Sequence, residues 1–151
     1  MSADDLIRAL APLFETLPTL DLADPAAAGL SLAERHPLAS LAEVRRLVEA
    51  GRDEGWLLPK EAGGIRFGRL VKDHEGWSVD AVEMDRPGPR HRHPLGEVDL
   101  CFATDGAPDF DGNAEGWTVY PPDSTHVPTV SGGTMLILYF LPQGRIEFLG
   151  G

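Results

Sequence analysis

The amino-acid sequence predicts a mainly β protein, a small β-barrel with a helical segment packed on it. From residue 60 onward, short apolar runs are separated by Gly, Pro and Asp, which is typical of strands joined by turns. Before residue 60, apolar residues recur at three- and four-residue intervals, which predicts amphipathic helices. The 17 Gly and 13 Pro among 151 residues imply many turns. We expect one compact domain, with a helical segment at residues 1–58 and a barrel at residues 59–151.

Two helices are predicted before residue 37. Residues 3–17 carry apolar side chains on one helical face, and Pro12 is expected to kink this helix or to divide it. Pro25 suits the first turn of a second helix, because its missing N–H needs no partner there. We expect that helix to end before Pro37.

A third helix is predicted from Ser40 to about Ala50. Ser40 and Glu43 match a capping box, in which each side chain accepts a hydrogen bond from the backbone N–H of the other residue. The residues that follow place apolar side chains on one face of the predicted helix.

Seven strands are predicted after residue 60, and their close spacing favours a sandwich or barrel. The predicted strands are Ile65–Val71, Trp77–Met84, Glu97–Ala103, Gly116–Tyr120, His126–Val130, Thr134–Leu141 and Arg145–Leu149. The predicted turns and loops are Asp73–Gly76, Asp105–Gly116, Ser131–Gly133 and Gln143–Gly144.

The charge and composition limit the class of partner and the compartment. A formal net charge of −11 makes nucleic acid and anionic membrane surfaces unfavourable partners. Cys101 is the only cysteine, so no intramolecular disulfide can form, which fits a reducing compartment. The acidic N-terminus lacks the basic residues of a signal peptide, and no apolar run reaches the roughly 18 residues of a membrane helix. We therefore expect a cytoplasmic protein.

A candidate metal site lies in the middle of the barrel region. His91 and His93 are two positions apart, so on a strand their side chains point to the same face. Residues 94–96, Pro-Leu-Gly, predict a bend after which Glu97 returns to that side. Imidazole nitrogens and a carboxylate oxygen together suit a borderline or hard divalent metal. A fourth ligand would have to come from elsewhere in the chain.

This stretch resembles the first motif of the cupin superfamily, G-x5-H-x-H-x3-4-E-x6-G. The residues that match it in order, with altered glycine spacings, are Gly88, His91, His93, Glu97 and Gly106. Cupins are small β-barrels (double-stranded β-helices) whose motif strands surround a single metal. The resemblance therefore implies a cupin-type β-barrel here.

A second cupin motif, G-x5-P-x-G-x2-H-x3-N, is matched in part further along the chain. Pro121 and His126 keep their mutual spacing after Gly116, whereas Asp123 and Val130 replace the glycine and the asparagine of the motif. These departures are in backbone positions and leave the metal-binding positions intact. The resemblance implies that His126 is the fourth ligand.

The resemblance thus implies one divalent metal ion, and the ligand set accepts iron, manganese, zinc or nickel. Its ligands would be His91, His93, Glu97 and His126. In the competing interpretation, residues 90–93, Arg-His-Arg-His, form a solvated basic patch on an acidic protein. The two histidines of the helical and turn regions, His36 and His74, are expected at the surface.

Residues 61–71, EAGGIRFGRLV, and residues 88–99, GPRHRHPLGEVD, resemble the 4-hydroxylaminobenzoate lyase family of small bacterial proteins. The resemblance implies conversion of a small aromatic substrate, 4-hydroxylaminobenzoate, into 3,4-dihydroxybenzoate and ammonia, a step in nitroaromatic degradation. That reaction is redox-neutral, and the metal could act in it as a Lewis acid. A homodimer is possible, because cupins commonly dimerise.

Five further residues are candidates for substrate binding and catalysis. An arginine is the natural partner for the benzoate carboxylate, and Arg66 and Arg69 lie on the first predicted strand. They face opposite sides, so at most one readily points inward. Asp99 shares the face of the carboxylate ligand, which makes it a candidate general base. Tyr120 is a further catalytic candidate, and Trp117 could form a wall of an aromatic pocket.

Two other functions use the same ligands. An iron cupin dioxygenase would oxidise a small organic substrate with molecular oxygen. A non-catalytic metal-binding cupin would act as a sensor or regulatory module and would need a partner-binding surface. Dependence on dissolved oxygen separates the dioxygenase from a lyase, and capture of a partner protein separates the regulatory module from both enzymes.

Overall fold

The computed structural model of the protein describes residues 2–150. Its helices are α1 (Ala3–Ala9), α2 (Ala11–Thr16), α3 (Pro25–Arg35) and α4 (Ala42–Glu54). Its strands are β1 (Lys60–Ala62), β2 (Ile65–His74), β3 (Trp77–Met84), β4 (His91–His93), β5 (Glu97–Phe110), β6 (Gly116–Tyr120), β7 (Ser124–His126), β8 (Val130–Pro142) and β9 (Glu147–Phe148).

Prolines determine where the first helices begin and divide. The helix predicted at residues 3–17 is divided into α1 and α2, and Pro12 lies in the first turn of α2, where its missing N–H needs no partner. Pro25 begins α3, and α3 ends before Pro37. Both expectations for this helix are confirmed.

The prediction for the third helix is wrong at both ends. Ser40 lies in a short 3-10 turn, and its hydroxyl donates to the carbonyl oxygen of Pro37 at 2.7 Å instead of capping a helix. Helix α4 begins at Ala42 without a side-chain cap and continues to Glu54. Gly55, at φ +88°, follows it, because glycine adopts this left-handed conformation without steric cost.

Two histidines expected at the surface, His36 and His74, are half-buried. The Nε2 atom of His36 lies 2.7 Å from the hydroxyl oxygen of Thr16 and joins α3 to α2. The ring of His74 stacks on Phe14, with ring centroids 4.2 Å apart. The His36 side chain therefore links two helices to each other, and the His74 side chain links the helical region to β2.

The predicted loop at 105–116 is wrong for residues 105–110, which belong to β5. The predicted turn at 131–133 is wrong because all three residues belong to β8. Strands β5 and β8 extend through these residues and pair with each other, with two register shifts. A Cβ atom on Gly133 would lie 2.0 Å from the carbonyl oxygen of Asp105. The glycines here mark a close approach of two irregular strands and not a turn.

The remaining strand predictions differ in accuracy. The strands Trp77–Met84 and Gly116–Tyr120 are confirmed at both ends. The strand predicted from His126 to Val130 is wrong, because β7 ends at His126 and β8 begins at Val130. Pro128 lies between them and cannot donate a hydrogen bond to a neighbouring strand. The other predicted strands correspond to β2, β5, β8 and β9 with different bounds, and β1, β4 and β7 are additional.

The strands form two antiparallel sheets within residues 2–150. One has the order β1-β2-β3-β8-β5-β6, and the other has the order β7-β4-β9. The helices pack on the outer face of the larger sheet. The hydrophobic core between the helices and this sheet includes Leu6, Leu32, Leu47, Val98, Leu100, Phe102, Leu138 and Phe140. A second apolar cluster, which includes Cys101, Phe110 and Ile137, lies inside the barrel. The predicted mainly β barrel with N-terminal helices is confirmed.

The helical part ends at Glu54 and the first strand begins at Lys60. The division of the chain at residue 58 into two segments stays a prediction. Among the helices of the described residues, none has the length and apolar character needed to cross a bilayer.

Candidate metal centre and adjoining cavity

The predicted ligands meet between the two sheets. His91 and His93 extend from β4, His126 extends from β7, and Glu97 is the first residue of β5. His91 is directly opposite His126 in the β4–β7 ladder, so their side chains share a face. Three of these side chains are fully buried, and 13% of the His126 side chain is exposed.

A glycine bend places Glu97 on the side of the histidines, as predicted. Gly96 has φ +95°, and its N–H donates to the carbonyl oxygen of His93 at 3.3 Å. A Cβ atom on Gly96 would lie 2.9 Å from the carbonyl oxygen of Tyr120. Glycine is therefore required here both by the backbone conformation and by the close approach of β6.

The second motif reaches the site through a turn that also needs a left-handed residue. Asp123 replaces the motif's glycine but has φ +64°, which aspartate tolerates better than most residues. Its N–H donates to the carbonyl oxygen of His93 at 2.8 Å, and its carboxylate pairs with Arg92 on the outside. The interpretation of residues 90–93 as a solvated basic patch is wrong, because both histidines are buried.

One potential ligand atom of each of these four residues lies within 4.8 Å of the others. The Nε2 atoms of His91 and His126 are 3.0 Å apart, and His93 Nε2 is 3.1 Å from Glu97 Oε2. His91 Nε2 is 3.8 Å from Glu97 Oε1. Nitrogen ligands bind zinc at about 2.0–2.1 Å, so two ligands at right angles lie about 3 Å apart. The spacing therefore suits a single ion.

Hydrogen bonds at Nδ1, the ring nitrogen that faces away from the cluster, orient two of the imidazole rings. His91 Nδ1 lies 3.1 Å from the carbonyl oxygen of Pro89. His126 Nδ1 lies 2.6 Å from Oδ2 of Asp111. Both partners are acceptors, so each ring carries its proton on Nδ1.

The third imidazole is oriented in the same way by a hydroxyl. His93 Nδ1 is 2.8 Å from Ser124 Oγ, and that hydroxyl donates to the carbonyl oxygen of Pro121 at 2.6 Å. Since its proton is used there, Ser124 Oγ accepts from the Nδ1–H of His93. All three histidines thus use Nδ1 for a hydrogen bond and direct Nε2 toward the centre of the cluster, the arrangement in which an imidazole can bind a metal through Nε2.

The converging atoms lack other partners within the described residues. His93 Nε2 and both carboxylate oxygens of Glu97 are buried and have no hydrogen bond there. A buried carboxylate without partners is costly, and the Nε2 atoms of His91 and His126, 3.0 Å apart, repel each other when neither carries a proton. A cation between these atoms would satisfy all of them. The cluster is therefore able to bind a metal.

The directions of the pKa shifts of two of these residues, Glu97 and His91, agree with metal binding. Burial alone would raise the pKa of the Glu97 carboxyl, but the adjacent His93 outweighs this effect and holds the pKa below its usual range. Burial lowers the pKa of the His91 imidazole against the opposing charge of Glu97. An ionised carboxylate and neutral imidazoles are the forms that metals require.

Asp111 is a residue of the candidate site that the sequence did not point to. It accepts hydrogen bonds from His126 Nδ1 at 2.6 Å, from the Tyr120 hydroxyl, and from the backbone N–H of Thr129 at 2.8 Å. Burial alone would raise the pKa of the Asp111 carboxyl, but these bonds hold it below its usual range. Its one sequence signal is the Asp-Gly pair at 111–112, which predicts a turn and nothing about a metal.

Tyr120, a predicted catalytic residue, packs beside the ligand rings. Its ring centroid lies 4.3 Å from that of His126 and 5.2 Å from that of His93. Its hydroxyl donates to Asp111, and burial together with this carboxylate raises its pKa. The hydroxyl therefore lies at the Nδ1 edge of His126, away from Nε2. Its role in catalysis stays a prediction.

A row of polar side chains crosses the inner face of the larger sheet beside the ligands. Strand register aligns Arg69, Asp80, Tyr139, Asp99 and Thr118 across β2, β3, β8, β5 and β6. Both carboxyl oxygens of Asp99 and the Thr118 hydroxyl are buried without a hydrogen bond among the described residues. Burial and the neighbouring carboxylate ligand raise the pKa of Asp99 well above its usual range. This shift favours the protonated form of the Asp99 carboxyl inside the barrel.

A largely apolar cavity of about 370 Å³ adjoins the cluster at His91. Its apolar lining includes Phe67, Val82, Met84, Pro128, Tyr139 and Phe148. This volume lies in the range of small-molecule sites, roughly 300–1,000 Å³. The cavity is large enough for one aromatic ring with small substituents.

The predicted substrate-binding residues occupy three different places. Arg69 lines the cavity. Arg66 lies in a separate surface pocket, 3.4 Å from Glu83. Trp117 packs against the helix-side core, and its Nε1 donates to the carbonyl oxygen of His36 at 2.9 Å. The roles of Arg66 and Trp117 in substrate binding stay predictions, and neither residue lines this cavity.

Three histidines and one carboxylate that could hold a metal ion, buried inside a small antiparallel barrel, define a cupin-type protein. The chain belongs to the PnbB, 4-hydroxylaminobenzoate lyase, family, whose model matches residues 25–148. A 4-hydroxylaminobenzoate lyase from Nocardioides sp. (strain LMS-CY) is 34% identical over 70% of this chain and 70% of its own length. A second one, from Pseudomonas putida, is 28% identical over 70% of this chain and 72% of its own.

Solved structures with a similar barrel are more distant. A cupin-like protein from Thermotoga maritima is 21% identical with a TM-score of 0.41, over 60% of this chain and 79% of that one. An RmlC-like cupin from Shewanella frigidimarina is 21% identical with a TM-score of 0.42, over 55% of this chain and 80% of that one. These overlaps are partial, and the strand order given above defines the fold.

Proposed function

We propose that this protein is a metal-dependent 4-hydroxylaminobenzoate lyase that forms 3,4-dihydroxybenzoate and ammonia. One observation carries the proposal: a buried four-ligand cluster adjoins an apolar cavity of single-ring size, in a chain of this family. The aromatic ring would occupy the cavity, with the hydroxylamino group directed to the end at His91. We also propose a cytoplasmic location, which agrees with the single cysteine.

The proposed reaction balances without an oxidant. The N–O bond breaks, and the oxygen leaves with the bonding electron pair and is protonated to water. One water adds to the ring carbon adjacent to the carbon that carries the nitrogen, and it loses a proton. A second water hydrolyses the resulting imine and releases ammonia, and loss of the ring proton restores aromaticity. The net change is the uptake of one water and the release of one ammonia.

The metal would be iron, manganese, zinc or nickel, each of which suits this ligand set. The residues proposed to hold it are His91, His93, Glu97 and His126. A bound divalent ion would supply Lewis acidity, which polarises the leaving hydroxyl or lowers the pKa of a water. The Nδ1 hydrogen bonds of the histidines fix the rings for this purpose, and such outer partners commonly change metal affinity 10- to 100-fold.

Asp99 is the residue to which we assign proton transfer. Its carboxyl is buried beside Glu97 on the inner face, and neither oxygen has a hydrogen bond among the described residues. An Oδ–H can therefore be given to the departing hydroxyl, and the resulting carboxylate can take the proton of the attacking water. Tyr120 supports the site less directly, because its hydroxyl holds the Asp111 carboxylate that orients His126.

The test combines metal analysis with a product assay under strict anaerobiosis. Purified protein is loaded separately with Fe(II), Mn(II), Zn(II) and Ni(II) and supplied with 4-hydroxylaminobenzoate. We expect equimolar ammonia and 3,4-dihydroxybenzoate without oxygen from at least one metal form. The His93→Ala and His126→Ala variants should lose metal and activity while keeping their circular dichroism spectra. Full metal content in both variants would overturn the assignment of the site.

The same experiment separates the two competing functions. Product formation only when oxygen is admitted would favour an iron cupin dioxygenase. Tight metal binding without turnover of any arylhydroxylamine, together with stable capture of a partner protein, would favour a regulatory module.

A further inference from the structure

The cavity beside the metal centre has few charged residues in its lining. They are Lys60 on β1, Arg69 on β2 and Asp80 on β3. Apart from His91, the rest of the lining is mainly apolar and includes Phe67 and Val82. One end of the cavity therefore adjoins potential metal ligands, and another part is bordered by charged groups.

Two of these charges neutralise each other. Arg69 and Asp80 are directly opposite in the β2–β3 ladder. The Nε of Arg69 donates to Oδ1 of Asp80 at 2.7 Å, and Nη2 donates to Oδ2 at 3.2 Å. This bidentate pair uses two of the five donors of the guanidinium and offsets its positive charge, so Arg69 attracts a further carboxylate less than an unpaired arginine would. The negative Asp80 would also repel an anionic ligand at this position.

Lys60 differs from the pair in having no partner. Its side chain is exposed and makes no hydrogen bond or ion pair with another residue in the described part of the chain. It is the uncompensated positive charge of the cavity lining, in a protein with a formal net charge of −11. Anions are otherwise disfavoured near such a surface, so a local cation is needed to attract one.

We propose that Lys60 is the residue that binds the carboxylate of the substrate and so selects 4-substituted benzoates over uncharged arylhydroxylamines. This inference rests on the proposed lyase function for the identity of the substrate. The register places Lys60 opposite Phe67, and Phe67 opposite Val82, so an apolar surface continues from the lysine into the cavity. A benzoate ring on that surface has its carboxylate at Lys60 and its 4-substituent toward His91.

The test measures binding separately from turnover. Zinc-loaded protein is titrated calorimetrically with 3,4-dihydroxybenzoate and with catechol, which lacks the carboxylate. Lys60→Met should weaken 3,4-dihydroxybenzoate binding about tenfold, the expected loss for one charge-assisted contact, and should change catechol binding less than twofold. The matched control is Lys72→Met, since Lys72 is the other lysine of the chain, is exposed on β2 and does not line the cavity. It should bind both ligands as the wild type does.

Kinetics provide a second readout in the catalytically competent metal form. Lys60→Met should raise KM for 4-hydroxylaminobenzoate about tenfold with little change in kcat, and should leave KM for N-phenylhydroxylamine unchanged. Equal 3,4-dihydroxybenzoate affinity in Lys60→Met and the wild type would overturn the assignment, as would a loss seen only in Arg69→Met. If the wild type releases no ammonia but Lys60→Met still selectively weakens 3,4-dihydroxybenzoate, the lyase proposal fails and the carboxylate site stands.

Discussion

Replacement of Asp111 by asparagine should weaken metal binding although Asp111 is not itself a ligand. The carboxylate accepts from His126 Nδ1, from Tyr120 and from the backbone of Thr129. Asparagine tolerates the φ of +50° at this position and preserves the side-chain shape. Its amide has only one oxygen, so an N–H₂ group must face either the two side-chain donors or the backbone N–H.

The magnitude follows from the bond that is lost. A hydrogen bond from the His126 imidazole to a charged acceptor contributes about 1.5–3 kcal/mol. At 1.4 kcal/mol per factor of ten, this predicts roughly 10- to 100-fold weaker metal binding, the range found for outer partners of metal ligands. The assay is competition for Zn(II) between apoprotein and a coloured chelator, with urea unfolding to check that the fold is retained.

Asp109→Asn is the matched control, because it removes the same charge two positions earlier on β5 from an exposed side chain. We expect its zinc affinity to be within twofold of the wild type. An Asp111→Asn protein with wild-type affinity would refute the reasoning, since the orientation of His126 would then not depend on this carboxylate. Equal weakening in both variants would point to net charge instead of geometry.

Two further predictions concern stability. Gly133→Ala should lower the free energy of unfolding by about 1–3 kcal/mol or more, because its Cβ would lie 2.0 Å from the Asp105 carbonyl oxygen. Gly29 lies within α3, and a Cβ atom there would be 4.0 Å from the nearest neighbouring atom. Gly29→Ala should therefore stabilise the protein by about 0.5–1 kcal/mol. Equal destabilisation of both variants in urea titrations would contradict this reasoning. Burial lowers the pKa of His36, so the unfolded chain takes up a proton at higher pH than the folded one, and stability should fall as pH drops below about 6.5. A His36→Asn variant should lose less stability between about pH 7.5 and 5.5, whereas an unchanged slope would show that His36 does not contribute.

Three of the four proposed ligands could be predicted from the sequence because their arrangement depends on local rules. His91 and His93 share a face through the two-residue period of a strand, and Gly96 marks the bend that returns Glu97. His126 was reached through the resemblance of the second motif, which keeps its spacing even though Asp123 replaces a glycine. The structure shows the reason, since Asp123 retains the left-handed backbone of that turn.

Other parts of the fold and site could not be predicted, because the same residue types occur in more than one kind of local structure. Glycines at 131–133 predict a turn, yet Gly133 allows β8 to approach β5 closely. Serine is a residue type that favours helix N-caps, but the hydroxyl of Ser40 closes a 3-10 turn before α4 begins. In each case the pairing partner or the preceding turn decides the structure.

The amino-acid sequence was enough to predict a helical segment followed by a β-barrel and, with the help of a family resemblance, to propose four particular residues as metal ligands. The three-dimensional arrangement was needed to show that Asp111 orients His126, that Asp80 neutralises Arg69, and that Lys60 borders the cavity. The physical reason is distance along the chain. Alternation along one strand fixes the face of a side chain locally, whereas its neighbours depend on the register between strands and on how two sheets face each other.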